Sequence, residues 1–93
     1  MNIQREDDGK KGQFYLENNG KKEAIMTYTW AGDTKIIIDH TEVDDSLRGK
    51  GVGYKLVETA VLYLRENDLK VMPLCPFAKA VFDKKPEYAD VLF

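Results

Sequence analysis

The apolar rhythm of this chain changes once, and glycines mark the change. Before it, hydrophobic residues alternate, as in a half-buried strand. After it they fall at positions 52, 56, 57, 60, 61 and 64, one broad face of an α-helix. Between the two lies "SLRGKGVGYKLVETA", Ser46 to Ala60, with glycines at 49, 51 and 53. A period of two needs partners in a sheet, and a period of 3.6 needs a surface to lie on. The chain is therefore confined to α+β folds in which a sheet is laid down first and a long helix covers it. Glycine costs roughly 1 kcal/mol against alanine within a helix, so three at a helix entrance need a physical reason.

The strand half divides at turn residues. "QFYLEN" sets Phe14 and Leu16 against Tyr15 and Glu17. Asn18-Asn19-Gly20 is hairpin chemistry, because Asn and Gly tolerate positive φ. "EAIMTYTW" predicts the return strand, Ala31-Gly32-Asp33 a second turn, and "KIIIDHTEV" a third strand with a β-branched centre. A weaker strand near Ile3 would complete an antiparallel meander. Past the helix, which ends near Asn67-Asp68, "LKVMPL" reads as a short strand stopped by Pro73. "PFAKAVFDKK" reads as a second helix with Pro76 at its first position, and "EYADVLF" as a last turn or a tail. Strand, helix, strand implies a right-handed crossover with the flanking strands parallel. The predicted fold is one α+β domain over residues 1–93, with a mixed, mostly antiparallel sheet and a short C-terminal helix.

Composition excludes several functions. With 14 Lys/Arg against 16 Asp/Glu the net charge is −2, which does not suit nucleic acid. No apolar run approaches a membrane span. The opening "MNIQREDDGKKG" is charged, so no secretory signal is expected. One cysteine permits no internal disulfide, and a reducing cytoplasm is the expected compartment. One cysteine and one histidine are too few for an ordinary zinc site, and no metal is expected. The charge is unevenly divided: residues 1–47 carry −4 and residues 48–93 carry +2. An anionic ligand is better received by the second half. The acidic first half suits a basic partner or is a solvated face.

A glycine turn that opens a helix gathers unpaired backbone N–H groups at the positive end of the helix dipole, where a phosphate binds. Arg48 and Lys50 add charge there. Neither the Walker spacing nor the dinucleotide-binding spacing is present. From the glycines alone, a tight loop that packs the helix closely on the sheet explains the stretch equally well.

Arg48-Gly49-Lys50-Gly51-Val52-Gly53 matches the Arg/Gln-x-x-Gly-x-Gly/Ala motif of the GNAT superfamily of N-acetyltransferases. "IDHTEVDDSLRGKGVGYKLVETAV" followed by "LKVMPLCPFAKAVFDKKPEYADV" resembles its small stand-alone, YjdJ-type branch over Ile38–Val91. The resemblance implies acetyl-CoA as ligand and acetyl transfer to an amine, with a lysine of a basic protein or peptide as acceptor. A non-catalytic coenzyme A-binding module is the alternative. It implies that the diphosphate sits on Arg48, Gly49, Lys50, Gly51, Val52 and Gly53. The pantetheine arm would then pass Glu42 and Val43 between two splayed strands. Lys79 and Lys84 would face the 3′-phosphate or simply be solvated. His40, the one histidine, ends the strand beside which the thioester would lie and shares a strand face with Glu42, so either could relay a proton. Cys75, as N-cap of the second helix, would be either a dipole-activated nucleophile or a small buried thiol beside the cofactor channel.

Overall fold

The computed structural model describes residues 2–93. A meander of four antiparallel strands comes first: β1 (Gln4–Asp7), β2 (Lys11–Asn18), β3 (Lys21–Trp30) and β4 (Lys35–Val43). The β2–β3 turn is set by Asn19 and Gly20 at φ 53° and 79°, the paired positive values that match strand twist. Helix α1 (Val52–Glu66) crosses back to β5 (Lys70–Pro73), which pairs in parallel with β4. Sheet order follows chain order, β1-β2-β3-β4-β5. Helix α2 (Pro76–Lys84) follows, then a 3-10 turn over Pro86–Val91. The predicted α+β architecture is the observed one. The segment read as a turn or tail does both jobs, since Leu92 beyond the turn forms an isolated parallel bridge with Val71.

Both helices bury their apolar faces on one side of the sheet. From α1 come Val52, Leu56, Val57, Ala60, Val61 and Leu64, and from α2 Ala78, Val81 and Phe82. They meet Phe14, Met26, Tyr28, Ile36, Ile38 and Val71 of the strands in one core. Each such side chain contributes about 1.5–3 kcal/mol relative to exposure, so packing rather than helix propensity holds α1. The opposite sheet face carries Tyr15, Ile25, Ile37, His40 and Glu42, and no helix covers it. Alternation in β2 fails at Tyr15, which is 8% exposed although it points away from the helices. The Lys22 ammonium lies 4.5 Å from the centre of its ring and covers it.

One irregularity positions the site. Tyr28 pairs with Ile38 but Thr27 with His40, so Asp39 is an extra residue in β4. Ile36 and Ile38 face the helices. Beyond the bulge the alternation is reset: Thr41 and Val43, opposite buried Met26 and Ala24, face them, while His40 and Glu42 turn to the uncovered side. Asp39 itself accepts a hydrogen bond from Thr29 Oγ1 at 2.8 Å.

Candidate active site

β4 and β5 separate at the same place. Their last pair is Ile38 with Pro73, after which the N–H groups of Leu74 and Cys75 both donate to Ile38 O at 3.1 Å. β4 runs on for five residues, Asp39 to Val43, while the other chain turns away into α2. This is a fork whose β4 side carries His40, Glu42 and Val43 and whose opposite arm begins at Cys75.

The glycine turn lies between this fork and α1, and its three glycines serve different ends. Gly49 and Gly51 have φ of 80° and 72°, which only glycine adopts without strain, and a Cβ on either would meet nothing within 4 Å. Gly51 is the N-cap of α1. Gly53 is inside the helix, where a Cβ would overlap the Phe77 ring of α2. Two glycines shape an open turn and the third permits close packing. The close-packing explanation therefore holds at Gly53, while Gly49 and Gly51 shape a turn that is left open.

The N–H of Arg48 donates to Asp45 O at 3.1 Å, that of Lys50 to Leu47 O at 3.2 Å, and that of Lys55 to Gly51 O at 3.0 Å. Among the described residues, the amides of Gly49, Gly51, Val52, Gly53 and Tyr54 find no acceptor. Five donors without acceptors, in and after an open turn at the positive end of a 15-residue helix, suit a diphosphate. The Arg48 and Lys50 amides, expected to join them, are taken by the preceding 3-10 turn. The Arg48 guanidinium is held 2.9 Å from Asp45 Oδ1. Tyr54 is a donor that sequence reasoning missed; it lies one residue past the motif, where an N-terminal orphan amide still falls.

The candidate catalytic side chains do not form a single cluster. His40 Nε2 is 3.6 Å from Glu42 Oε1, on the uncovered face, with both side chains more than half exposed. Cys75 is buried on the helix side of β4, where its thiol donates to Thr41 Oγ1 at 3.3 Å. Cys75 is the N-cap of α2, but it makes no side-chain capping bond. β4 therefore separates the imidazole–carboxylate pair from the thiol. Thr41 was missed because only the bulge turns it towards Cys75. Val43 is half-buried against the core. Lys79 is exposed on α2 with Nζ 3.6 Å from Asp83 Oδ1. A groove of about 500 Å³ instead leads from Gly51 past Tyr54, Lys55, Lys84, Lys85 and Tyr88. Among the described residues no cluster of potential metal ligands occurs, and no helix is long and apolar enough to cross a membrane.

Comparison with known proteins agrees with this geometry. Protein NATD1 of Gallus gallus is 33% identical over 85 residues, spanning 90% of this chain and 77% of its own. The solution structure of a GCN5-like protein from Staphylococcus aureus superposes with a TM-score of 0.74 at 38% identity, covering 99% of this chain and 89% of that one. AAC(6')-Iy, solved with a bisubstrate analogue containing coenzyme A, shares the fold at 11% identity with a TM-score of 0.57, over 87% of this chain and 62% of its own. A family model described as GCN5-related N-acetyl-transferase matches residues 13–91. The chain belongs to the GCN5-related N-acetyltransferase family.

Proposed function

We propose that the chain transfers an acetyl group from acetyl-CoA to a primary amine, with a lysine of a basic protein or peptide as acceptor. The observation that carries this is the set of five acceptor-less amides beside a fork in the sheet. Gly49, Gly51, Val52, Gly53 and Tyr54 hold the diphosphate through main-chain N–H groups. The main chain of β4 at Glu42 and Val43 flanks the arm that reaches into the fork. Bound there, acetyl-CoA supplies an activated thioester. His40 accepts the proton that the amine must lose, and the Glu42 carboxylate stabilises the resulting imidazolium. Cys75, its hydrogen engaged by Thr41, walls the fork from the helix side.

A cationic acceptor fits the surface beside His40. A shallow cavity there is lined by Glu23, Glu42, Asp44 and Asp45, with Lys22 the one cation among its lining residues. The sheet face with His40 carries no helix, so a side chain presented by another macromolecule can reach it.

The test is release of free thiol from acetyl-CoA in the presence of lysine-containing peptides, alongside calorimetric titration with coenzyme A. Turnover is expected, with His40→Ala reducing it about a hundredfold at unchanged coenzyme A affinity. Cys75→Ala is expected to retain turnover; its complete loss would make the thiol a nucleophile. Binding without turnover would leave a coenzyme A-binding module, and absence of binding would overturn the reading altogether.

A further inference from the structure

The sheet face without helices carries a second cavity besides the one near His40. One row of side chains runs straight across that face: His40 pairs with Thr27, Thr27 with Gln13, and Gln13 with Glu6. Gln13 Nε2 donates to Glu6 Oε1 at 3.3 Å along it. The cavity of Glu23, Glu42, Asp44 and Asp45, about 510 Å³, lies on one side of the row. On the other side a cavity of about 580 Å³ is lined by Glu6, Asp7, Asp8, Thr29 and Asp39, and Gln13 lines both. Eight carboxylates and the ammonium groups of Lys11 and Lys22 line the pair, a balance of −6 on a chain whose net charge is −2.

The spacing of the two cavities is that of an extended chain. Along β3, Ile25 lines the first cavity, Thr27 stands in the row of His40, and Thr29 lines the second. These outward positions alternate with buried Ala24, Met26 and Tyr28, so each is two residues, about 6.8 Å, from the next. A peptide extended along β3 and β4 repeats that interval. With one side chain at His40, the side chains two positions before and after it stand over the two cavities. The face already holds one ammonium of its own: Lys22 Nζ lies 2.7 Å from Glu6 Oε1 and 4.5 Å from the centre of the Tyr15 ring. A second copy of the chain is a poor occupant, since a two-fold contact through this face would set −6 against −6.

Resting on the reading above, we propose that the uncovered sheet face docks an extended, basic segment of the acceptor, with cationic side chains two residues before and two residues after the lysine that receives the acetyl group. Glu6 and Asp39 read one flank, and Glu23 and Asp44 read the other. Exposed ion pairs are individually weak and screened by salt. Selectivity therefore comes from matching two charged positions at a fixed interval about the reacting one. Arginine serves at either flank as well as lysine does, because what the carboxylates read is charge. Lys22 competes with one of the flanking cations for Glu6.

The experiment uses fluorescein-labelled peptides with blocked ends, Ala-Arg-Ala-Lys-Ala-Arg-Ala and forms with one or both arginines changed to glutamine. Anisotropy in the presence of coenzyme A reads docking, and thiol release from acetyl-CoA reads transfer. Each arginine is expected to tighten binding about threefold, the scale of an exposed ion pair. Both together give about tenfold, and the preference shrinks at high salt. Glu6→Gln with Asp39→Asn removes the effect of one arginine, and Glu23→Gln with Asp44→Asn that of the other. Lys22→Gln raises affinity for the doubly basic peptide. Amide side chains at 39 and 44 still accept from Thr29 Oγ1 and the Ser46 amide, so the fold is retained, which thermal unfolding checks. Asp7 and Asp8 are kept, because Tyr28, Trp30 and the Lys10 and Lys11 amides donate to them. Equal affinity for all peptides, or loss of the same arginine's effect in both double variants, would overturn the docking face while leaving the transferase reading standing. A dimer in sedimentation that these substitutions dissolve would overturn it by giving the face to a second copy. Docking with the expected preference but without transfer would support the face and remove the transferase reading.

Discussion

Two ends of the same sheet meet their polar requirements in opposite ways. At the β1 end, Tyr28 Oη donates to Asp7 Oδ2 at 2.6 Å, and Trp30 Nε1 donates to the same oxygen at 2.8 Å. Arg5 Nε donates to Tyr28 Oη at 2.8 Å, and its guanidinium lies 4.1 Å above the Tyr63 ring. Beside this clasp is a cavity of about 580 Å³, larger than the lysine groove and rimmed by Glu6, Asp7, Asp8 and Asp39. At the other end, the glycine turn leaves five amides without acceptors. The clasp spends its polar groups on one another and fastens an edge strand. The turn keeps its donors free. The end proposed to hold the diphosphate differs from the clasp in its unmet hydrogen-bonding capacity rather than in cavity size.

That contrast breaks most visibly at Gly12. A Cβ there would stand 2.5 Å from both Glu6 O and Tyr28 Oη, one of them backbone that cannot swing aside. Gly12→Val is expected to cost about 3 kcal/mol by overpacking, on the order of 15 °C in Tm. Coenzyme A affinity of the folded protein stays unchanged. A fall in affinity alongside the Tm would show that the two ends are coupled. Next in size is Tyr28→Phe, which strips Asp7 of one donor and Arg5 Nε of its acceptor, while Arg5 Nη2 keeps its 3.3 Å contact with Asp7 Oδ2. Denaturant unfolding is expected to show a loss of about 2 kcal/mol, again without effect on the cofactor.

Gly51→Ala sharpens the comparison from the opposite side. Its φ of 72° imposes a strain of about 1 kcal/mol on a side chain, yet the Cβ enters open space. Stability therefore falls less than in either clasp variant, while coenzyme A binding, measured by calorimetry, weakens clearly. Gly53→Ala would confuse the two effects, because its Cβ collides with Phe77 before any ligand is considered.

The sequence exposed those parts of the site that rest on local backbone chemistry. Asn19-Gly20, the Gly49–Gly51 turn, Pro76 at the start of α2 and the periodicity of α1 each depend on residues close in the chain, and each was legible. What depends on register or distant packing was not. The extra residue at Asp39 exists only in relation to Thr27 and Tyr28 of β3, and it decides that Thr41 rather than His40 meets Cys75. The role of Gly53 depends on Phe77, twenty-four positions away. The lysine groove assembles Lys55 with Lys84 and Lys85 by docking α2 and the last turn against α1. Charge counting over the second half signalled an anion but could not say which lysines converge.

The smallest expected effect concerns pH, and it tests whether the clasp is self-contained. Burial alone would raise the Asp7 carboxyl, but hydrogen bonds from Tyr28, the Gly9 amide and Trp30, with the charge of Arg5, hold it below its ordinary 3.8. Because its folded value is the lower one, the stability it provides is full above about pH 4 and is lost as pH falls through that folded value. Tyr28 moves the other way: burial, then its bond to Asp7, push the phenol well above its ordinary 10.0. Its share is therefore intact below pH 10 and lost on further alkalinisation. A Tm profile of wild type should bend down at both limits. Tyr28→Phe removes its own alkaline contribution and, by taking a donor from Asp7, makes the acid descent shallower. If one substitution flattens both arms while coenzyme A affinity is unchanged at pH 7, the two titrations belong to a single hydrogen-bonded unit, and that unit is energetically separate from the glycine turn.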